Sequence, residues 1–382
     1  MRYFVKARAY LMEDEIREGE YLEVIDGKFG DFYKVLPKEA TIENLSDFTI
    51  APGLFDTHIH GVKNHDVMDG TTEATLEISK EIVKLGVTRF LPTTLTSSSE
   101  ALEKAIVSVK KAVDTGLCGA ESEGIYLEGP HFTERHKGAQ NPSYFRDPSY
   151  EEFNEWQKLA EGAIVKIALA PERQGAYEFI EAIRKDGVYT AIGHSDASYN
   201  CCKQATEAGA SNYVHLFNGM SGMHHRNPGV VGAALTDSSV FNELICDGHH
   251  VHPDIATLAY RIKGDKIVLI TDCMRAGLMP DGTYHLGEFP VVMEKGIAKT
   301  NEGSLAGSTL TLIEGIKNLY KWSSEPLYKI WHLASLSPAQ SLGKQDYLGS
   351  ISKGKLADYV VFDDTLSIQA VSVEGEFRYL KN

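Results

Sequence analysis

The sequence predicts an α/β fold, a (β/α)8 TIM barrel joined to a small β-sandwich domain built from the N- and C-terminal segments. Eight apolar runs of strand length recur through the middle of the chain, and polar clusters and segments of helical period follow them. Strand-then-helix units imply a parallel sheet, and eight of them favour a closed barrel over an open doubly wound sheet. The GxGxxG fingerprint that would favour the open sheet is absent from the sequence.

Both chain ends have a strand-like pattern without helical period. In YLEVIDGKFGDFYKV (21–35), the hairpin dipeptide Asp26-Gly27 stands between two apolar runs. Residues 358–364 and 368–380 have the same character. We therefore expect the two ends to meet, with residues 1–52 and 345–382 forming the small domain and 53–344 the barrel.

The predicted barrel strands cover residues 51–61, 86–94, 124–132, 163–172, 189–195, 213–219, 242–250 and 266–274. Between the second and third strands an apolar stripe at helical spacing predicts a helix: Leu102, Ala105, Ile106, Val109 and Val113. Ser97 and Glu100 have the spacing of a capping box at its start. Residues 275–308 form a long insertion after the eighth strand, with a hairpin turn predicted at Asp281-Gly282.

The composition is that of a soluble globular protein, with 43% hydrophobic and 24% charged residues among 382. The net charge of −15 argues against nucleic-acid partners and against attachment to anionic membranes. No apolar run of membrane-spanning length occurs, and the start turns acidic too soon for a signal peptide. The five cysteines form no CxxC pair, so we expect reduced, mostly buried thiols and a cytoplasmic location.

Acidic and imidazole side chains stand at the ends of the predicted strands, where a barrel of this kind places its site. They are His58, His60, Glu128, His194, His215, His250 and Asp272. His58 and His60 are two residues apart in GLFDTHIHG, so they share one face of a strand. A single histidine at a strand end is more often structural, whereas seven such groups converging from different strands predict a functional site.

Imidazoles combined with carboxylates suit Zn, Fe(II), Co or Mn better than Mg or Ca. His58, His60, His194, His215 and Glu128 are the candidate ligands for one or two divalent cations per chain. A catalytic metal site also keeps a position open for water and needs a base nearby. Asp272, in LITDCM on the last strand, is the candidate base.

Motifs spread over nearly the whole chain give a specific resemblance: PGLFDTHIHG, YLEGPHF with KGAQNP, IGHSDAS, HLFNGMSGMHHRNPG, DGHHVHP, LITDCM, GSLAGSTLT and GSISKGKLADYVVFD. The chain resembles the amidohydrolase superfamily, and within it the branch that deacetylates phosphorylated amino sugars. HxH is common to many amidohydrolases, whereas LFNGMSGMHHRNPG and SLAGSTLT are far more specific. The resemblance implies hydrolysis of N-acetyl-D-glucosamine 6-phosphate to D-glucosamine 6-phosphate and acetate.

The resemblance also implies roles for individual residues. Glu128, His194 and His215 would bind one metal, His58 and His60 would belong to a second, and Asp272 would be catalytic. Substrate contacts would fall on Ala139, Gln140, Asn218, Gly219, Arg226, His250, Leu305, Ala306 and Gly307. Arg226 would reach the neighbouring subunit's site in a homodimer. Some members of the family carry histidine where this chain has Gln140.

Residue chemistry leaves several alternatives open. Arginine can bind phosphate through two parallel hydrogen bonds, but loop arginines such as Arg226 are usually solvated. The GSLAGST segment offers backbone N–H groups to an anion or is a plain helix cap. Lys166 lies about five residues before Pro171, too far from the strand end to bridge two metals, which favours the deacetylase branch over a dihydroorotase-like one. His131 is a candidate for contact with the metal-binding residues or with the oxyanion that forms on the acetyl carbonyl during hydrolysis.

His65, His136, His285 and His332 lie in loops or a late helix and need no role. In the expected mechanism Asp272 takes a proton from the attacking water and delivers it to the departing amine. The alternatives are N-acetylgalactosamine 6-phosphate as substrate, another amidohydrolase acting on a small amide, and a non-catalytic barrel used for assembly.

Overall fold

A computed structural model describes residues 1–381. Its strands are β1 (Arg2–Leu11), β2 (Ile16–Glu18), β3 (Tyr21–Ile25), β4 (Lys28–Tyr33), β5 (Ile42–Pro52), β6 (Leu54–Ile59), β7 (Gly61–Val62), β8 (His65–Asp66), β9 (Val87–Thr94), β10 (Glu121–Ser122), β11 (Ile125–His131), β12 (Ile164–Leu169), β13 (Tyr189–Ile192), β14 (Asn212–Tyr213), β15 (Phe241–Leu244), β16 (Ile267–Leu269), β17 (Gly282–Leu286), β18 (Phe289–Glu294), β19 (Ile297–Thr300), β20 (Tyr359–Phe362), β21 (Ile368–Val373) and β22 (Glu376–Leu380). Its α-helices are α1 (Thr72–Val83), α2 (Ser99–Thr115), α3 (Tyr150–Leu159), α4 (Ala176–Lys185), α5 (Tyr199–Ala208), α6 (Gly229–Thr236), α7 (Pro253–Lys263), α8 (Leu312–Ser323), α9 (Leu327–His332) and α10 (Leu336–Ser341).

Eight parallel strands form the predicted barrel, in the order β6, β9, β11, β12, β13, β14, β15, β16. The residues after β16 close it against β6, because Ile59 and Cys273 form a parallel bridge and the Asp272 N–H donates to the His58 carbonyl over 2.9 Å. The TIM-barrel prediction is therefore confirmed. The buried apolar faces of the surrounding helices and strands form the main core.

The strands begin close to where the sequence predicts, but the later ones end earlier. The fifth, sixth and eighth predicted strands run to residues 195, 219 and 274, whereas β13, β14 and β16 end at 192, 213 and 269. His194, His215 and Asp272 follow these ends with φ values of 45°, 26° and 50°. Left-handed backbone of this kind cannot continue a ladder and is costly for a residue with a Cβ, and such strain clusters at functional sites.

The two chain ends share one eight-stranded sheet, ordered β22, β21, β20, β5, β1, β3, β4, with β2 paired to β1. The Asp26-Gly27 turn is confirmed between β3 and β4, both residues having positive φ (49° and 76°) as a tight hairpin requires. The sheet curls, since Lys28 at its edge bridges to Leu356 just before β20. Residue 382, the last of the proposed small domain, lies outside the described residues, and the boundaries 1–52, 53–344 and 345–382 stay a proposal.

One local prediction was wrong. Helix α2 is capped by Ser98, whose side chain accepts from the Ala101 N–H, so the proposed box at Ser97 and Glu100 is one residue too early. The predicted helix itself is present and includes Val113, whose side chain is 37% exposed.

The insertion also differs from expectation. It is a three-stranded antiparallel sheet, β17–β18–β19, and Asp281-Gly282 precedes its first hairpin instead of turning it. The Asp281 carboxylate instead accepts the N–H groups of Lys295 and Gly296, over 2.7 and 3.1 Å. An aspartate–glycine pair thus contributes a side-chain acceptor to the second turn.

Within residues 1–381, none of the helices combines the length and apolarity needed to cross a bilayer. The five cysteines are free thiols, and Cys202, Cys246 and Cys273 are buried, as expected.

Candidate metal centre and active-site pocket

Two groups of three side chains meet at the C-terminal mouth of the barrel. His58, His60 and Asp272 form the first group, and Glu128, His194 and His215 form the second. In the first, Nε2 of His60 lies 3.3 Å from Nε2 of His58 and 3.2 Å from Oδ1 of Asp272. All six side chains are buried, and within each group one donor atom per residue lies within 4.8 Å of the others.

Glu128 joins the two groups. Its Oε1 lies 3.2 Å from Nε2 of His215 and 3.4 Å from Nε2 of His194. Its Oε2 lies 3.3 Å from Nε2 of His60, and Oε1 lies 3.6 Å from Nε2 of His58. One carboxylate on the third barrel strand therefore faces four imidazoles, so it can serve both groups at once.

Nδ1 of each imidazole, on the side of the ring facing away from the site, forms a hydrogen bond with the protein. The acceptors are Glu243 Oε2 for His58 (2.9 Å), the Thr93 carbonyl for His60 (3.1 Å), the His136 carbonyl for His194 (2.9 Å) and the Asn218 carbonyl for His215 (3.0 Å). A neutral imidazole has a single N–H, so these acceptors assign that proton to Nδ1 and leave Nε2 as a lone pair facing the site. Metal-binding histidines are oriented in this way.

The chemistry of this donor set fits a divalent cation. Imidazole nitrogens and carboxylate oxygens converge on the same points, so a positive charge among them, a bound cation or protons on the imidazoles, is favourable. With Asp272 set apart as the candidate base, the five remaining donors leave room for water or substrate on a bound cation, as catalytic sites require. The mixture of imidazole and carboxylate suits Zn, Fe(II), Co or Mn.

The charges of the site are mutually dependent. Burial alone would raise the pKa of Glu128, but the four surrounding imidazoles outweigh it and hold that pKa well below its ordinary value. Burial likewise opposes ionisation of Asp272, yet His58 and His60 lower its pKa. The same carboxylates overcome the desolvation of His60 and raise its pKa well above the ordinary value. Both carboxylates are therefore anionic at neutral pH.

A cavity of about 290 Å³ opens above these groups. Its wall contains seven of the substrate-binding residues expected from the sequence: Ala139, Gln140, Asn218, Gly219, His250, Leu305 and Gly307. His250 is fixed there by Asp247, whose Oδ2 lies 2.6 Å from its Nδ1. The cavity is at the small end of the range for ligand pockets, which suits a monosaccharide.

Two expected contacts lie elsewhere. Arg226 is exposed on a loop that borders a different cavity, beside Asp196 and Ser221, and does not line the pocket of its own chain. Ala306 is fully buried in the apolar cluster beneath the insertion sheet. Its neighbours Leu305 and Gly307 line the wall.

Gln140 lines the pocket but is engaged by the protein at both ends of its amide. Its Nε2 donates to Glu128 Oε2 over 2.7 Å, and its Oε1 accepts the Thr96 N–H over 3.1 Å. The side chain therefore orients the shared carboxylate.

His131, a candidate for the oxyanion, is not part of the pocket. Its ring is fully buried, stacks on Trp156 at 6.3 Å between centroids and meets the edge of Phe179. Burial lowers its pKa to about 4. The expected oxyanion role was wrong, because His131 faces the helices outside the barrel and not its mouth.

Sequence reasoning missed several residues. Leu95, Gly138, Leu286 and Ser304 complete the wall of the pocket. Leu286 comes from the insertion sheet, and no local pattern indicates that it folds over the site. Glu243 was detectable in principle, since it is a charge inside the apolar strand run NELIC, as Lys166, considered only as a metal-bridging lysine, is in AIVKIALA.

Comparisons with known proteins show the family of the chain. A model of the amidohydrolase family matches residues 49–381. The chain is 45% identical over 335 residues to the N-acetylglucosamine-6-phosphate deacetylase of Vibrio furnissii, covering 88% of this chain and 84% of that protein. It is 36% identical over 376 residues to the N-acetylgalactosamine-6-phosphate deacetylase of Escherichia coli O157:H7, covering 98% and 99%.

The fold is similar to a solved structure of a mutant N-acetyl-D-glucosamine-6-phosphate deacetylase from Mycobacterium smegmatis in complex with N-acetyl-D-glucosamine-6-phosphate. The TM-score is 0.93, with 30% sequence identity and 99% coverage of both chains.

Proposed function

The chain belongs to the amidohydrolase family, and we propose that it hydrolyses the acetamide of N-acetyl-D-glucosamine 6-phosphate to D-glucosamine 6-phosphate and acetate. The observation that carries the proposal is the convergence of Asp272 with His60, Glu128, His194 and His215 in the wall of one small cavity. That arrangement supplies a base beside a metal centre, the requirement for amide hydrolysis. The 45% identity to the Vibrio furnissii deacetylase supports the choice of substrate.

The metal centre is proposed to hold one or two divalent cations through His58, His60, Glu128, His194 and His215. A bound cation would polarise the acetyl carbonyl and lower the pKa of the attacking water. Zn, Fe(II), Co and Mn all match the donors.

Asp272 is the proposed proton carrier. Its carboxylate is anionic at neutral pH, faces the pocket and has its backbone fixed by the hydrogen bond to His58. It accepts the proton of the attacking water and returns it to the amine nitrogen, since an amide anion is too poor a leaving group to depart unprotonated. His131 plays no part in these steps.

Recognition of the sugar phosphate is proposed to use Ala139, Gln140, Asn218, Gly219, His250, Leu305 and Gly307. No Arg or Lys among residues 1–381 lines this pocket, so a phosphate there lacks a strong cationic partner from its own chain. Arg226 is exposed and free to enter another copy. We therefore propose a homodimer in which Arg226 of each chain binds the phosphate in the partner's site.

A cytoplasmic location is proposed on the five free thiols, which suit a reducing compartment. The reaction tests the whole proposal. Purified enzyme loaded with Zn²⁺ should release acetate rapidly from N-acetylglucosamine 6-phosphate and far more slowly from the unphosphorylated sugar. Equal rates on both would contradict the phosphate requirement.

N-acetylgalactosamine 6-phosphate is the second candidate, because a deacetylase of that sugar is 36% identical over 98% of this chain. The two sugars differ in the configuration of one hydroxyl. Comparing kcat/KM for the two phosphates decides between them, and the glucosamine configuration is expected to be preferred. The reverse preference would move the assignment to the galactosamine enzyme.

A further inference from the structure

A lysine and a glutamate are buried beneath the metal centre, outside the set of ligands. Lys166 on β12 and Glu243 on β15 are each 1% exposed, and the ammonium donates to Glu243 Oε1. The Tyr126 ring covers the lysine, with Nζ 4.3 Å from its centroid. Neither side chain lines the pocket, so the mechanism above does not use them.

The second oxygen of Glu243 reaches both ligand groups. Oε2 accepts Nδ1–H of His58 over 2.9 Å and the backbone N–H of His215 over 3.2 Å. His58 belongs to the first group and His215 to the second. Nδ1 of each of the other three imidazoles donates to a backbone carbonyl, so His58 is the only one of the four whose Nδ1 donates to a side chain.

The Lys166–Glu243 pair is placed so that it orients the His58 ring. Lys166 occupies one carboxylate oxygen, which directs the other toward His58 and His215. An acceptor at Nδ1 keeps the proton of His58 there and turns Nε2 into a lone pair that faces the centre. Removing that acceptor frees the ring to rotate or to carry its proton on Nε2, where it blocks a cation.

We propose, building on the metal centre proposed above, that Lys166 and Glu243 are positioning residues that preset His58 for the cation of the first group and tie it to the backbone of His215. A buried ion pair is by itself weak evidence of a contribution to stability. The placement of its free oxygen on two metal-binding segments is what gives it a function.

Two double variants separate positioning from simple structural support. Lys166→Met with Glu243→Leu removes both charges and the acceptor. Lys166→Met with Glu243→Gln removes both charges but keeps an oxygen that can accept from His58 and His215. Lys263→Met is the matched control, because Lys263 is also a buried lysine but donates to the Ala234 and Asp237 carbonyls, away from the site.

Each full-length variant is stripped with a chelator, checked for folding by its melting temperature and titrated with Zn²⁺ alone against a competing chromophoric chelator. The leucine variant should lose affinity for one cation by about 10- to 100-fold, the usual effect of removing an outer partner of a metal ligand. The glutamine variant should keep most of it, and Lys263→Met should bind like the unsubstituted chain.

Equal Zn²⁺ affinities in the two double variants would overturn the proposal and leave the pair a structural one. Failure of the unsubstituted chain to bind Zn²⁺ would instead overturn the metal centre itself. Because no sugar is present, a wrong substrate assignment leaves the comparison unaffected.

Discussion

Nε2 of His194 lies 3.1 Å from Nε2 of His215, although Nδ1 of each ring already donates to a backbone carbonyl. A neutral imidazole has one N–H, so two lone pairs face each other at this distance. Two buried lone pairs repel, and only a shared positive charge makes the contact favourable. From the relationship between these two rings we expect a bound cation to stabilise the folded protein.

Removing the metal is accordingly expected to destabilise the protein. Chelation should lower the melting temperature, and added Zn²⁺ should restore it. At a Zn²⁺ concentration of 100 times its Kd, binding should raise the free energy of unfolding by about 2.7 kcal/mol. Scanning calorimetry with and without chelator measures this. Mg²⁺ is the control and should restore little, since it prefers oxygen ligands; full restoration by Mg²⁺ would contradict the assigned donor set.

Asp272→Asn should keep the metal and lose turnover. The amide cannot accept the proton of the attacking water, and general acid–base catalysis contributes about 10²- to 10⁴-fold to a rate. Metal content and acetate release are measured on the same sample. Asp254→Asn, whose side chain is 92% exposed, is the control and should retain full activity. An active Asp272→Asn enzyme would remove the base from the mechanism.

Arg226→Ala should raise KM for the phosphorylated sugar. Mixing it with the inactive Asp272→Asn chain tests where Arg226 acts. In a mixed dimer, one site then contains Asp272 from one chain and Arg226 from the other. Recovery of activity on mixing is expected; no recovery after confirmed subunit exchange would place Arg226 outside the neighbouring site.

The buried His131 should make stability depend on pH. Its pKa is lowered by burial from 6.5 to about 4, so the unfolded chain binds the extra proton between these values. The contribution of neutral His131 to the free energy of unfolding is complete above pH 6.5. It is lost as the pH falls toward 4, and the total loss is about 3 kcal/mol. In urea unfolding of the metal-free protein, the free energy of unfolding should fall less steeply with decreasing pH in His131→Phe than in the unsubstituted chain. The exposed His285→Phe is the control and should follow the unsubstituted chain.

Arg89 should hold the barrel to the terminal sheet. Its guanidinium on β9 lies 2.6 Å from Asp358 and 2.9 Å from Glu374, both of the C-terminal segment. Arg89→Met leaves the buried Asp358 unpaired, and breaking a buried pair costs about 3–5 kcal/mol. Lys353→Met breaks the exposed pair with Asp31 and should cost about 1 kcal/mol or less. Urea-unfolding free energies compare the two, and similar losses would argue against a special role for Arg89.

The sequence by itself determined the barrel, the pairing of the chain ends and the candidate metal ligands. Each depends on a local signal: strand-length apolar runs, the Asp26-Gly27 turn, and histidines or carboxylates at strand ends. His58 and His60 share a face because of the two-residue period of a strand, which requires no knowledge of the remaining chain.

Only the tertiary structure decided what surrounds these groups. His131 and Glu128 lie three residues apart, yet one faces the helices and the other the pocket. Leu286 reaches the pocket only because the insertion folds back, and Lys166 meets Glu243 across the barrel interior, 77 residues away. The physical reason is one of range along the chain. Strand period and turn chemistry act over a few residues. Burial and charge pairing depend on neighbours supplied by distant strands, and so do the left-handed turns at His194, His215 and Asp272.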